Sequence, residues 1–296
     1  MKRFFVCTLA VAAVCWFPFS SRGQTQSAPE AGSLLYRISG NGLTKHSYMF
    51  GTFHAICPAE MVPLESLDVY LDQTDQMVME IDMDDAAEMQ SLTLAALMSG
   101  GKTLKDYLTP EQFAKIDAMT KDLLGYPAEN LKALKPTMLA VMALTSPKAI
   151  GCTPNVYDLS LMQKATAKKK PIFGLETVAS QINVLDSKPI EAQAKELYEI
   201  ALDPQKAVRD LKRLMEAYKM RDPEKLFEIS TGQMTNDKDF KSRLLDDRNL
   251  DWIPKMETAI KERPTFFAVG AGHFGGKNGL INLLKAKGYQ VTPVKI

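Results

Sequence analysis

The chain of 296 residues is 46% hydrophobic and 24% charged, with a formal net charge of +1 and a sequence pI of 7.6. That balance excludes a general electrostatic field for nucleic acid or anionic lipid, and the only compact basic run, Lys168-Lys169-Lys170, reads as the solvated end of a helix. Beyond the first 23 residues no stretch approaches the roughly 18 to 20 unbroken apolar residues of a membrane span.

Lys2-Arg3, an apolar run from Phe4 to Phe19 and Ser21-Arg22-Gly23 have the three zones of a secretory signal peptide. A lipoprotein anchor at Cys15 is disfavoured, because Val14 stands where a small residue is wanted. The mature chain is therefore expected to be exported, periplasmic or secreted, with a polar tether over 24–32 and a single domain over 33–296. Cys7 and Cys15 leave with the signal, so Cys57 and Cys152 remain, an even number in a compartment that permits disulfides. A bridge between them is favoured, since neither has a second cysteine at metal-ligand spacing; metal ligation beside His54 and two separate buried thiols are the alternatives. The bridge would close a loop of 95 residues and contribute roughly 4 kcal/mol.

Leu34–Ser39 and Ser47–Phe50 are strand-like, and Gly40-Asn41-Gly42 between them supplies the positive-φ residues of a hairpin. This hairpin delivers Gly51-Thr52-Phe53-His54. Met61–Leu71 has helical spacing, and Gln76–Ile81 reads as a buried strand ending in the acid-rich Glu80-Ile81-Asp82. From Ala86 to Lys170 the pattern is helical, with Thr109-Pro110 as an N-cap and first-turn proline. The segment Thr137–Leu144 is apolar nearly all round and should be central. Pro171–Leu175 is a short strand running into Glu176-Thr177. Residues 189–263 are helical, broken at Asp203-Pro204, Asp222-Pro223 and Gly232. An apolar strand in the stretch from Pro264 then runs into Gly270-Ala271-Gly272-His273, followed by a helix over Asn278–Lys287 and a closing strand Tyr289–Val294. The expected fold is α/β with α+β character: a small mixed β-sheet, strand-Gly-x-x-His units at both ends of the chain and a large helical insertion.

His46, His54 and His273 are the only histidines, and two of them follow a strand and a glycine at the same spacing. No His-Glu-x-x-His and no Gly-x-Ser-x-Gly occurs. Gly270–Gly275 matches a Gly-x-Gly-x-x-Gly phosphate cradle, but no Asp or Glu follows between Ala271 and Ile296 to hold a ribose. His54, Glu80, Glu176 and His273 all stand at strand ends, where ligands gather in an open α/β sheet. Two imidazoles with one or two carboxylates suit a first-row divalent metal, Mn, Co or Zn, with an open position for water. Gly51 and Gly270 would let the backbone turn tightly so that each ring points inward. The bland alternatives are that both histidines are hydrogen-bonded turn residues, that Glu176 is an ordinary helix-start acid and that Arg248 pairs on a helix surface with Asp247 or Asp251. His46, beside Lys45, is expected to be exposed and idle.

Gly51-Thr-Phe-His54, Glu80-Ile-Asp82, Gly174-Leu-Glu-Thr177, Arg248-Asn249 with Trp252, and Ala268–Gly276 with Gly288-Tyr289 and Pro293 resemble the TraB/GumN family from about Leu34 to Val294. The resemblance implies a metal held by His54, His273 and Glu80, as in the family's TIKI-type metalloproteases, which depend on Mn²⁺ or Co²⁺. It also implies a fold related to haem-binding ChaN and erythromycin-esterase-like proteins. Glu80 is then a ligand or the general base, with Asp82 or Glu176 available for the other role, and Arg248 a partner for a carboxylate or oxyanion. Three functions follow as expectations: a metal-dependent hydrolase acting on a peptide or small molecule, a binding protein for haem or another exported ligand, and a non-catalytic accessory of the cell envelope.

Overall fold

A computed structural model describes residues 32–232 and 238–296. The signal segment 1–23 and all of the tether but Gly32 lie outside the described residues. Strand β1 (Leu35–Gly40) turns through Gly40, Asn41 and Gly42, all at positive φ, into β2 (Ser47–Thr52). Next come α1 (Glu65–Asp72), β3 (Gln76–Met79) and α2 (Ala86–Ala95). Helix α1 starts four residues later than the spacing suggests, since Pro63 falls where a continuing turn would need an N–H.

The insertion holds α3 (Pro110–Leu124), α4 (Pro136–Leu144), the single turn α5 (Pro147–Ile150) and α6 (Tyr157–Ala167). Thr109 caps α3 in a reciprocal box with Gln112, with Pro110 at the first helical position. Strand β4 (Ile172–Gly174) leads to α7 (Val178–Leu185), α8 (Ile190–Leu202), α9 (Pro204–Lys219) and α10 (Pro223–Gly232). After α11 (Lys238–Lys241) a π turn over Ser242–Asp246 runs into α12 (Asp247–Glu262). The chain closes with β5 (Thr265–Gly270), α13 (Leu280–Ala286) and β6 (Tyr289–Val294).

The six strands form one mixed sheet in the order β4-β3-β5-β2-β1-β6. Strands β4, β3, β5 and β2 run parallel, and β1 lies antiparallel to both β2 and β6. The β5 strand, last but one in sequence, sits between β2 and β3, so it brings the two Gly-x-x-His units together as neighbours, with Gly51 opposite Val269 and Thr52 opposite Gly270.

Side chains of a strand alternate between faces, and both faces here are covered. Phe50, Met77, Met79, Phe266 and Ala268 pack with Leu67, Tyr157, Leu161 and Tyr218 from α1, α6 and α9. Met49, Val78, Phe267 and Val269 pack with Trp252, Met256, Leu280 and Leu284 from α12 and α13. A separate core of Ile116, Met119, Leu139, Ala143, Leu197 and Val208 holds the helical insertion.

Helix α4 departs from its expected central place. Leu139 and Ala143 are buried, but Val141 and Met142 face outward. Its apolar composition carries no stripe, so which side is covered depends on where α3 and α8 lie.

Candidate functional site

Four parallel strands end on the same edge of the sheet, and each delivers one polar side chain there: His54 after β2, Glu80 after β3, Glu176 after β4 and His273 after β5. Arg248, from the first turn of α12, reaches into the middle of them. Its Nη2 donates to Glu80 Oε2 and to Glu176 Oε1, both at 2.6 Å, and its Nε donates to Glu176 Oε1 at 3.0 Å. Nη1 donates to the Leu244 carbonyl at 2.9 Å and faces His273 Nε2 at 3.2 Å. All three charged side chains are buried, at 8% exposure for Arg248, 9% for Glu80 and 3% for Glu176. The bland alternatives for Arg248 and Glu176 are therefore corrected: Asp251 pairs with Lys255 instead, Asp247 accepts from Ser242, and Glu176 points to Arg248.

The π turn before α12 has a local reason to matter, since such turns concentrate at functional sites. Asp247 N–H bonds back five residues to Ser242, while the Leu244 carbonyl accepts from the Arg248 guanidinium. Trp252, one turn further along α12, places its ring 4.4 Å from His273 and 4.7 Å from the Arg248 guanidinium carbon. Gln181 on α7 bridges Glu80 Oε2 and Glu176 Oε1 from the other side.

The tautomer of His273 follows from its partner. Asn249 Nδ2 donates to the carbonyls of His273 and Asn278, so its Oδ1 is an acceptor, and at 2.6 Å it takes the Nδ1 proton of His273. Nε2 therefore presents its lone pair to the site. Burial pushes His273 down to about 3, against the pull of Glu80, so it is neutral at working pH. Burial pushes Glu80 up, but His273, Arg248, His54 and the Gly270 N–H together outweigh it and hold the carboxyl at about 2. Because His273 is uncharged at neutral pH, Arg248 is the largest remaining stabilising contact there, ahead of His54 and the Gly270 N–H.

His54 stands apart from this buried group. Its side chain is 70% exposed, and its Nδ1 lies 3.0 Å from Oδ2 of Asp158, which is itself only 7% exposed. The Asp158 hydrogen bond raises the imidazole to about 9. The ring senses the charges of Glu80 and Arg248 but bonds to neither. Asp82 is not drawn in: its Oδ1 accepts from Asp84 N–H, burial raises its carboxyl, and it lines a groove of about 390 Å³ with Asp85, Glu88, Glu176 and Lys255.

The glycines act differently from the expectation. Neither Gly51 nor Gly270 has positive φ. Close approach is their common feature: a Cβ on Gly51 would clash at 2.8 Å with Ala271 Cβ, and one on Gly270 would press at 3.0 Å on Glu80 Oε1. Gly51 also accepts the Tyr218 hydroxyl at its carbonyl, at 2.8 Å, and Gly270 N–H donates to Glu80 Oε1, also at 2.8 Å. Cys57 and Cys152 form the disulfide, three residues after His54. His46 is exposed, as expected.

Sequence reasoning did not select Asp158, Gln181 or Tyr218. An acid in the first turn of a helix, as Asp158 is in α6, reads as an ordinary dipole partner, and no spacing ties it to His54 across 104 residues. Asn249 was visible only as part of a motif beside Arg248.

Among the described residues no three His, Cys, Asp or Glu side chains converge closely enough to hold a metal ion as they stand; His273 Nε2 and Glu80 Oε1 are 4.0 Å apart. The donor set nevertheless fits a divalent cation in kind. Both histidines are held through Nδ1, by Asp158 and Asn249, which is how ligating imidazoles are ordinarily oriented; a metal at Nε2 would displace the second proton of His54 and the Arg248 Nη1–H directed at His273 Nε2.

The TraB/PrgY/gumN family model matches residues 34–293. The chain is 24% identical to the metalloprotease TIKI1 of Danio rerio over 98% of its own length and 71% of that protein. It is likewise 24% identical to metalloprotease TIKI2 of Xenopus tropicalis, over 91% of this chain and 61% of that one, and to TIKI1 of Homo sapiens, over 88% and 62%. It thus spans less than two thirds of the length of the latter two. No solved structure matches.

Proposed function

The chain belongs to the TraB/PrgY/gumN family, and from that premise we propose that it is an exported, metal-dependent hydrolase of the peptidase kind. The observation that carries this reading is the shared design of the two histidines, each fixed through Nδ1 so that Nε2 is the nitrogen turned to a ligand role. The metalloprotease names of its relatives support it, and the Cys57–Cys152 bridge supports export by way of residues 1–23.

His54, His273 and Glu80 would hold the metal, which when bound supplies an activated water and polarises a carbonyl oxygen. Glu80 serves as ligand and anchor rather than as general base. A general base works best with a pKa near the working pH, whereas Glu80 is held at about 2 and both its oxygens already accept hydrogen bonds. Arg248, kept charged and immobile by Glu176, directs its two Nη1 hydrogens at the Leu244 carbonyl and at His273 Nε2; with a metal on Nε2 the second of them would be released to a substrate carboxylate or to the oxyanion of an attacked carbonyl. Trp252 packs against both His273 and Arg248 and keeps water from beneath them.

The test is elemental analysis of protein purified without chelator, alongside hydrolysis of a peptide library, for wild type and His273→Ala. Stoichiometric Mn, Co or Zn with cleavage in the wild type, both lost in the variant, is expected. Absence of metal under every loading condition would sink the reading.

A further inference from the structure

An exposed imidazole on a loop has several rotamers open to it, and holding one costs side-chain entropy. His54 is such a residue, yet its ring is tied to a carboxylate that is almost fully buried. Asp158 is in turn fixed from its other oxygen, Oδ1, by the Thr52 hydroxyl at 3.0 Å, so a single carboxylate grips residues 52 and 54 of one loop. The two segments involved are joined at further points. Ile56 and Asn155 exchange backbone hydrogen bonds of 3.2 and 2.8 Å, Val62 N–H donates to the Tyr157 hydroxyl at 2.5 Å, and Cys57 is bonded to Cys152. Ala55, Ile150 and Met215 pack around that bridge.

We infer that Asp158 is the positioning residue that aims His54 at the site, with the Cys57–Cys152 bridge holding the His54 loop against the start of α6 so that the pair stays in register. The inference rests on the metal-site reading above. A carboxylate can only accept, so it keeps a proton on Nδ1 and makes Nε2 the nitrogen that gives up its proton to a metal. An amide in its place can also donate, which would turn the other nitrogen away from that role. Asp158 itself touches neither substrate nor metal.

The test titrates metal-stripped protein with Co²⁺ alone, by calorimetry and by visible d–d absorption. Asp158→Asn should weaken Co²⁺ binding about 10- to 100-fold and alter the d–d spectrum, in a metal-free protein that still folds but melts lower because the His54–Asp158 pair is lost. A role in folding alone would move the melting temperature and spare the spectrum of whatever metal binds. If Asp158→Asn binds Co²⁺ with wild-type affinity and spectrum while His273→Ala does not bind, the role of Asp158 is overturned and the metal site stands. If the wild type binds no Co²⁺, both fall. Should Asp158→Asn fail to fold, the paired Cys57→Ser, Cys152→Ser variant releases the clamp without touching the carboxylate: weaker Co²⁺ binding is expected, and unchanged binding overturns the clamp.

Discussion

Replacing Arg248 by methionine, similar in length and without charge, should show how much of this site is held together by one guanidinium. Glu80 and Glu176 would both remain buried, at 9% and 3% exposure, with no cation between them. Removing one partner of a buried ion pair costs about 3–5 kcal/mol, which for a domain of this size lowers the melting temperature by on the order of 10 °C. The pH dependence gives the sharper signature. Glu80 is held at about 2 in the fold against an ordinary value of 4.5, which corresponds to about 3 kcal/mol of stability. Since the folded value is the lower one, that stability is fully present above about pH 4.5 and is lost as pH falls toward 2. In Arg248→Met the guanidinium no longer opposes burial at Glu80, while His54 and the Gly270 N–H still do, so the Glu80 carboxyl rises and the variant should lose less stability than the wild type as pH falls from 7 to 4. Chelator-treated wild type and variant would be melted by circular dichroism at pH 7, 6, 5 and 4. A loss below about 1 kcal/mol at pH 7, or two stability profiles that run parallel on acidification, would refute the idea that Arg248 compensates these two carboxylates.

Gly51→Ala places a methyl 2.8 Å from Ala271 Cβ and 3.2 Å from Phe274 Cε2; overpacking of about 1–3 kcal/mol is expected, with weaker metal loading as the ends of β2 and β5 are pushed apart, and wild-type melting would contradict it. Breaking the Cys57–Cys152 bridge, which spans 95 residues, should cost about 4 kcal/mol, read as the difference between unfolding with and without reductant; equal midpoints would argue against it. Asn249→Leu removes the acceptor of His273 Nδ1 and the donor to two carbonyls, so a loss of about 1–3 kcal/mol should accompany a change in the His273 ring nitrogen shifts by NMR. Unaltered shifts would show that Asn249 does not set the tautomer.

Much of the site was legible because its members stand at strand ends. An apolar run followed by glycine and a histidine at fixed spacing marks both β2 and β5, and the acids after β3 and β4 are the first polar residues beyond buried strands. The turn glycines of the hairpin, the Thr109 cap and the helix breaks at Pro204 and Pro223 were readable for the same reason: each is a local rule about backbone dihedrals or orphan N–H groups. Expectations failed where the decision was not local. Helix α4 carries no apolar stripe to say which side is covered, and the reason for glycine at 51 and 270 lies in a neighbouring strand and in Glu80, not in their own φ.

The sequence by itself determined most of the elements, the mixed α/β class and the strand-end candidates His54, Glu80, Glu176 and His273, because burial and turn chemistry are written into residue order at periods of 2 and 3.6; Arg248 entered only through the family resemblance. Only the tertiary structure decided that β5 inserts between β2 and β3, that Arg248 is a buried bridge between two carboxylates and that Asp158 stands behind His54. Those are pairings between residues 72 to 218 positions apart. They are chosen by which packing buries all the apolar faces and compensates every buried charge at once, a condition on the whole chain that no short stretch of it contains.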